Sequence, residues 1–438
     1  MTLEEGIRKF AAVAPDKTAV VCRTGQVTYA ELHDAISRKV EQMQAAGLKP
    51  HTPYVYRASQ DTDFIVTYCA VHTIGAIAVP LGHDVPEDYF ESVCSRVKAC
   101  SYDDDIVDIL FTTGTTGDAK GVMLSQTCLD SCAENFIVDM GFSSDLAFII
   151  SGPLNHIASL FKIHPMLTIG GTVCVVDGMK DLNAFYDIFN MPFDKFGIFL
   201  VPSTIRMLLQ FSFDRLSSLS DRIDIIETGT APMMQNDMVL LSRALPDTRL
   251  YNTLGGTEIG CVCTYNFNDG IYKENCVGRP MKNSSVEISE EGDVIISGRT
   301  VMSGYVGDEE ATRAVMADGK IHGSDLGYWD EDGMLRLRGR RDDVINVGGY
   351  KVDPAEIENA AASHPCVKEC ICIASAHPIM GNVLKLLVVL HDGYTLDKQS
   401  LAAHLKERLE GHKVPFLYEA TGNLKRMYNG KLDRKSYR

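Results

Sequence analysis

The sequence predicts an α/β protein. A large amino-terminal domain of α/β subdomains with a small β-rich subdomain spans residues 1–341, and a small α+β domain follows over residues 342–438. Short apolar runs alternate with helical patterns through most of the chain, the rhythm of a largely parallel sheet. From Ser285 the texture changes to short β segments (VEIS, DVIISG, MLRLRG) divided by glycine and acidic turns. A length of 438 residues exceeds one ordinary domain, and the boundary is expected at Arg341-Asp342.

Taken in order, Lys17 to Cys22 reads as a strand and Thr28 to Ala46 as a helix. Thr28 and Glu31 form a capping box there, and Leu32, Ile36, Val40 and Met43 share one face. Asp61 to Ile74 is a second helix leading through Gly75 into the strand AIAVPL, and Pro86 to Ala99 a third with its proline in the first turn. Ser125 to Gly141 is helical, and Ala147 to Ile150 is a strand ending at SGPLNHIASLF. Gly170 to Val176, Phe196 to Val201 and Ile223 to Glu227 are buried-strand candidates; the last runs into TGTAPM, and Thr248 to Tyr251 leads to NTLGGTEIG. Ligands of open α/β sheets bind where such strands end. Asp353 caps a helix with Pro354 first and Glu356 completing an acidic capping box; two strands and the helix Leu396 to Leu409 follow.

Composition narrows the function. With 42 basic and 58 acidic residues the net charge is −16, which opposes binding to nucleic acid or an anionic membrane, so anionic ligands need locally placed cations. No run of eighteen apolar residues occurs and the start lacks a signal-peptide core, so a cytoplasmic protein is expected. Thirteen cysteines lie among apolar neighbours without a paired CxxC arrangement, as reduced thiols used as small hydrophobes do.

The stretch with the most chemistry is DILFTTGTTGDAKGVMLS, Asp108 to Ser125. Gly114 and Gly117 let the backbone turn where a Cβ would clash. Thr112, Thr113, Thr115 and Thr116 supply hydroxyl donors and Lys120 a mobile cation, so phosphate oxygens suit it. A plain sheet hairpin with a glycine turn explains these residues less well. The pattern is not a Walker A loop, because Gly rather than Ser or Thr follows the lysine.

Six separated blocks, in order, resemble the acyl-adenylate-forming (AMP-binding) superfamily of acyl-CoA synthetases and stand-alone adenylation enzymes. They are TTGTTGDAKG, TGTAPM, NTLGGTE, Ser324 to Gly327, Gly339 to Asp343, and Asn429-Gly430-Lys431. The resemblance implies ATP, Mg²⁺ and coenzyme A (or carrier-protein phosphopantetheine) as cofactors, with a carboxylic acid activated to acyl-AMP and then passed to a thiol. It places Thr112 to Thr116, Gly117 and Lys120 on the β- and γ-phosphates, Thr257 on the α-phosphate and Glu258 on the metal. Gly229, Thr230, Ala231 and Pro232 would line adenine on one side, and Asn252 would meet its amino group. Asp325 and Arg340 would hold the ribose, although Asp325 alone also reads as a turn cap. Lys431 would bridge carboxylate and α-phosphate; without the resemblance it is a tail lysine.

The small domain would be mobile, alternating about a hinge near Asp342. Gly348 and Gly349 would border a pantetheine tunnel, with Lys351 as a basic position on that face. His156, in PLNHIASL, falls near the acyl carboxylate and thiol route, or is a packed core residue. Leu254 stands where the superfamily commonly stacks an aromatic on adenine, Gly323-Ser324 and Lys425 replace usual residues, and the segment from Pro86 to Asp108 is short. The resemblance favours a carboxylic acid:CoA ligase without nucleic-acid or membrane partners. An enzyme that loads an acyl-carrier protein and a non-catalytic nucleotide or acyl-adenylate sensor are the alternatives. NHIAS offers no aspartate for an α-ammonium group, which points away from amino-acid substrates; Ser203, Gly255 and Gly256 join His156, Gly229 and Thr230 around the acyl group.

Overall fold

The computed structural model describes residues 1–112, 119–176, 178, 182–347, 350–377, 381–426 and 432–437. The chain divides into two units, one of Met1–Glu287 with Ile295–Gly323 and one of Ile288–Val294 with Ser324–Arg438.

The first unit opens with α1 (Leu3–Val13), β1 (Thr18–Cys22), β2 (Gly25–Thr28) and α2 (Tyr29–Ala45). The Thr28/Glu31 capping box is formed, with Leu32, Ile36 and Met43 buried. Next come β3 (Pro53–Arg57), α3 (Thr62–Ile74), β4 (Ile77–Leu81) and α4 (Glu87–Lys98), where Pro86 sits at the N-cap, one place before the expected first turn. The chain continues through β5 (Ile106–Thr112), β6 (Lys120–Ser125), α5 (Gln126–Asp139), β7 (Leu146–Ile150), α6 (Ile157–Ile169), β8 (Thr172–Val175), α7 (Leu182–Asp187) and β9 (Lys195–Phe199). Then follow α8 (Pro202–Phe211), α9 (Phe213–Ser217), β10 (Ile223–Gly229), α10 (Gln235–Ala244), β11 (Arg249–Gly256), β12 (Gly260–Asn266), β13 (Cys276–Pro280), β14 (Ser284–Ile288), β15 (Asp293–Gly298), β16 (Gly304–Tyr305) and α11 (Glu309–Val315).

Nine of these strands follow in the order β13-β12-β11-β10-β9-β7-β8-β1-β2. From β11 to β1 all neighbours are parallel, as the alternating sequence predicts; β2, β12 and β13 add antiparallel margins. A second sheet runs β16-β6-β5-β4-β3. Helix α6 is buried along almost its whole length, as a helix apolar all round must be, and packs against α1 and α5. Among the described residues no helix is long and apolar enough to cross a membrane. All thirteen cysteines are free thiols, and most are buried.

A buried polar network joins β5 to α1, α3 and α6. Asp108 of β5 is fully buried; its Oδ1 lies 2.8 Å from His72 Nε2, and its Oδ2 accepts from Tyr68 at 2.7 Å. His72 Nδ1 reaches Glu4 Oε1 at 3.1 Å, and Tyr68 Oη lies 2.8 Å from His164 Nε2 on α6. With a carboxylate at each ring nitrogen, His72 must carry both protons. Burial alone would lower its pKa, but Asp108 and then Glu4 outweigh this and lift it to about 10. Burial opposes charge on Glu4 too, yet the bond from His72 holds it near 2. Burial, with the His72 charge, pushes His164 down to about 4, so that ring stays neutral.

The second unit contains most of β18 (Lys320–Trp329), which follows the short β17 (Met316–Ala317), and β19 (Leu335–Arg340), β20 (Ile345–Val347) and β21 (Tyr350–Val352). These lead to α12 (Pro354–Ala362), β22 (Val367–His377), β23 (Gly381–Leu390), α13 (Lys398–Lys406) and β24 (Leu417–Ala420). Strands β22-β23-β24 form one sheet, and α12 and α13 supply Ile357, Ala361, Leu401 and Leu405 to its core. Asp353 caps α12 through Ala355 N, while Glu356, expected in the capping box, takes Lys413 Nζ at 2.9 Å.

Candidate active site

Strands β5 and β6 pair antiparallel, with Thr112 opposite Lys120. The strands on either side of the loop therefore pair with each other, which brings Thr112 and Lys120 together. Thr113, Gly114, Thr115, Thr116 and Gly117 lie outside the described residues. Lys120 and Val122 share one face of β6, and Tyr305 of β16 pairs opposite Val122. Lys120 Nζ consequently lies over the Tyr305 ring, 4.8 Å from its centroid. Gly121 allows the close fit, since a Cβ there would stand 2.5 Å from Val306 Cγ1.

Sequence reading ended the next strand at Tyr251. Strand β11 instead continues through NTLGG to Gly256, because β12 returns beside it. Thr257, Glu258 and Ile259 form the turn between them, and Gly260 leaves it with φ +70°. The turn is fixed from outside: Met302 N donates to Glu258 O at 2.9 Å, while Ser303 N donates to Met123 O at 2.9 Å. Residues 302–305 thus splice the turn to β6. Tyr305 completes the link by donating its hydroxyl to Glu258 Oε1 at 3.1 Å. Burial, and secondarily the Glu258 charge, push its phenol well above its ordinary pKa, so it remains a donor. A half-buried carboxylate with one oxygen so oriented is a hard-oxygen donor of the kind Mg²⁺ takes.

Gly229 closes β10, and Thr230 beyond it has φ +69°, a left-handed conformation unusual for a β-branched residue. Thr230, Ala231 and Pro232 are exposed. Asn252 is buried and its amide donates to Cys276 O at 2.6 Å, a partner that the adenine reading did not anticipate. His156 is half-buried as the N-cap of α6, its Nδ1 accepting from Ala158 N at 3.4 Å. The preceding loop is held by Gln60, which donates to Gly152 O at 2.8 Å and accepts from Leu154 N at 3.2 Å.

In the second unit Asp325 and Arg340 are cross-strand partners in β18 and β19, with Arg340 Nε 3.4 Å from Asp325 Oδ1. Lys351 lies in β21, its side chain outside the described atoms; Gly349 and Lys431 also lie outside the described residues. Tyr305 and Gln60 escaped the sequence reading, because no local motif ties either to the residues it serves.

The large sheet thus carries an acidic turn after β11 and the turn with strained Thr230 after β10, and the β5–β6 pair presents Lys120. The chain belongs to the AMP-binding enzyme family: the family's profile matches residues 7–102 and 95–306, and that of its carboxy-terminal domain residues 356–431. Among curated relatives, feruloyl-CoA synthase of Amycolatopsis sp is 29% identical, over 96% of this chain and 95% of that protein. The 2-succinylbenzoate–CoA ligase of Bacillus mycoides (strain KBAB4) is 25% identical over 94% of each. ATP-bound MatB from Rhodopseudomonas palustris shares the fold with a TM-score of 0.88 at 23% identity, covering 100% of this chain and 99% of that one. O-succinylbenzoate coenzyme A synthetase (MenE) from Bacillus subtilis, in complex with ATP and magnesium ion, does so at 0.84 and 22%, with 99% of each covered.

Proposed function

We propose that the protein is an ATP-dependent carboxylic acid:CoA ligase. The observation that carries this reading is Tyr305, which holds Lys120 and Glu258 on one ring. A carboxylate oxygen attacks the α-phosphorus of ATP, the α–β bridge bond breaks, and acyl-AMP and pyrophosphate form. Anion must approach anion, so fixed cations lower the barrier. Lys120 neutralises the β- and γ-phosphates with the hydroxyls of Thr112 to Thr116. Thr257 contacts the α-phosphate, and Glu258 would hold Mg²⁺. When bound, that ion would supply further positive charge to the phosphate oxygens.

Asn252 and the Gly229–Pro232 turn receive adenine, Asp325 and Arg340 the ribose, and Lys431 the reacting carboxylate. In the second step a thiol sulfur attacks the acyl carbon, the bond to phosphate breaks, AMP leaves and the thiol proton is released. Gly349 and Lys351 serve the pantetheine arm, and His156 lies on the acyl and thiol side. The domain boundary is assigned to residues 341 and 342, with Asp342 as hinge. Thirteen free thiols fit a cytoplasmic setting. The named substrates of the curated relatives, feruloyl and 2-succinylbenzoate, point to an aryl-bearing acid.

The test is pyrophosphate release with ATP and Mg²⁺ over a panel of aryl and alkyl acids, with CoA and with a phosphopantetheinylated carrier protein as acceptors. Thioester formation on CoA is expected. Acylation of the carrier alone would make this a loading enzyme, and silence across the panel with ATP still bound would make it a sensor.

A further inference from the structure

The reaction outlined above leaves the buried Lys162–Glu227 pair unused, and Glu227 lies two residues before the Gly229 that ends β10. Lys162 Nζ on α6 stands 2.8 Å from Glu227 Oε2 and 3.0 Å from Oε1, with both side chains buried. Aromatic rings face the same ammonium, Phe136 with its centroid at 3.8 Å and Phe199 at 5.5 Å. Desolvating two such ions is expensive enough that a well-packed apolar pair would serve stability as well. Stability alone therefore does not account for the pair.

Its neighbours do. The Thr253 hydroxyl shares its hydrogen between Glu227 Oε1 at 3.2 Å and Thr228 O at 3.0 Å. Gly229 packs on the same residue so closely that a Cβ would stand 2.8 Å from both Thr253 O and Oγ1. One residue further on, Thr230 takes its left-handed φ of +69°. A β-branched residue keeps such a conformation only where the surroundings over-determine it. A continuous set of contacts runs from ammonium to carboxylate, to hydroxyl, to the carbonyl and glycine before the strained residue.

We propose that Lys162 and Glu227 are a positioning pair that, acting through Thr253, holds the Thr228–Pro232 turn and its strained Thr230 in the conformation that receives the nucleotide. The proposal rests on reading that turn as the adenine wall. Neither residue touches the reacting atoms; their effect reaches the site through backbone geometry.

The test uses the full chain and reads AMP affinity by calorimetry beside the melting temperature, so the acid need not be known. Lys162→Met with Glu227→Leu removes both charges together and avoids a lone buried ion. Thr253→Val cuts the link while keeping the side chain's shape. Each is expected to weaken AMP binding about 5- to 10-fold, the effect of one good hydrogen bond. Thr230→Gly, which relieves the strain, is expected to restore most of that loss in either background.

Unchanged affinity in Thr253→Val at a wild-type melting temperature would overturn the proposal, as would failure of Thr230→Gly to rescue. Should the charge-free double variant not fold, Thr253→Val with and without Thr230→Gly decides alone. A wild-type protein that does not bind AMP would remove the adenine reading and the proposal with it. Normal wild-type binding with unchanged variants would remove the proposal only.

Discussion

Tyr305 donates its hydroxyl to Glu258 Oε1 at 3.1 Å while its ring lies under the Lys120 ammonium. Polar edge and π face of one side chain thus orient the two charged groups assigned to metal and phosphate. Tyr305→Phe keeps the ring and removes the hydroxyl. The Mg²⁺ concentration needed for half-maximal pyrophosphate release should rise about 5- to 10-fold, roughly 1–1.4 kcal/mol for one hydrogen bond. Tyr305→Leu also loses the ring contact with Lys120 and should cost a further ~0.5–1 kcal/mol. Identical Mg²⁺ titrations for all three proteins would remove Tyr305 from the site.

Lys120 is assigned to phosphates that AMP lacks. Lys120→Met should slow pyrophosphate formation about 100-fold or more, the usual effect of losing one preorganised electrostatic group. AMP affinity should stay within about twofold. Loss of AMP binding in parallel with rate would place Lys120 elsewhere on the nucleotide.

Lys431 is assigned to the first step only. Lys431→Ala should cut adenylation about 100-fold, while a chemically prepared acyl-AMP is still converted to thioester at close to the wild-type rate. Rapid mixing of each half-reaction separates the two, and equal loss in both would contradict the role.

The network around Asp108 sets a pH dependence of stability. The His72 pKa, raised to about 10, contributes stability that is complete below its unfolded value of 6.5 and is lost as pH climbs towards 10. His164, lowered to about 4, acts oppositely: its contribution is present above 6.5 and is lost as pH falls towards 4. Glu4, near 2, adds to the acid-side loss below its unfolded value of 4.5. The network alone therefore gives a maximum near pH 6.5, with limbs of at most about 1.4 kcal/mol per pH unit for each proton. His72→Gln should flatten the alkaline limb and His164→Gln the acid limb from pH 6.5 to 5 in denaturant titrations. An alkaline limb unchanged in His72→Gln would show that other groups set it.

Sequence made the parallel sheet legible because each strand there is an apolar run between helical patterns. Glycine and threonine in NTLGG read as a loop, and only the return of β12 makes them strand, since antiparallel pairing supplies hydrogen bonds that local propensity does not foretell. The same limit hid the pairing of β5 with β6. Thr257, Glu258, Asp325 and Arg340 are candidates that short motifs of fixed spacing nominate. Tyr305, Lys162 and Asp108 act on partners 36 to 185 residues away, so no window of sequence contains both ends of their contacts.

Lys120 owes its place to the parity of β6, not to the length of the segment before it. The pairing from Thr112 opposite Lys120 onward is fixed by the strands themselves. Deleting one residue within β6 would turn its ammonium to the opposite side of the sheet, away from Tyr305. For anyone redesigning this enzyme, strand β6 must be kept residue for residue.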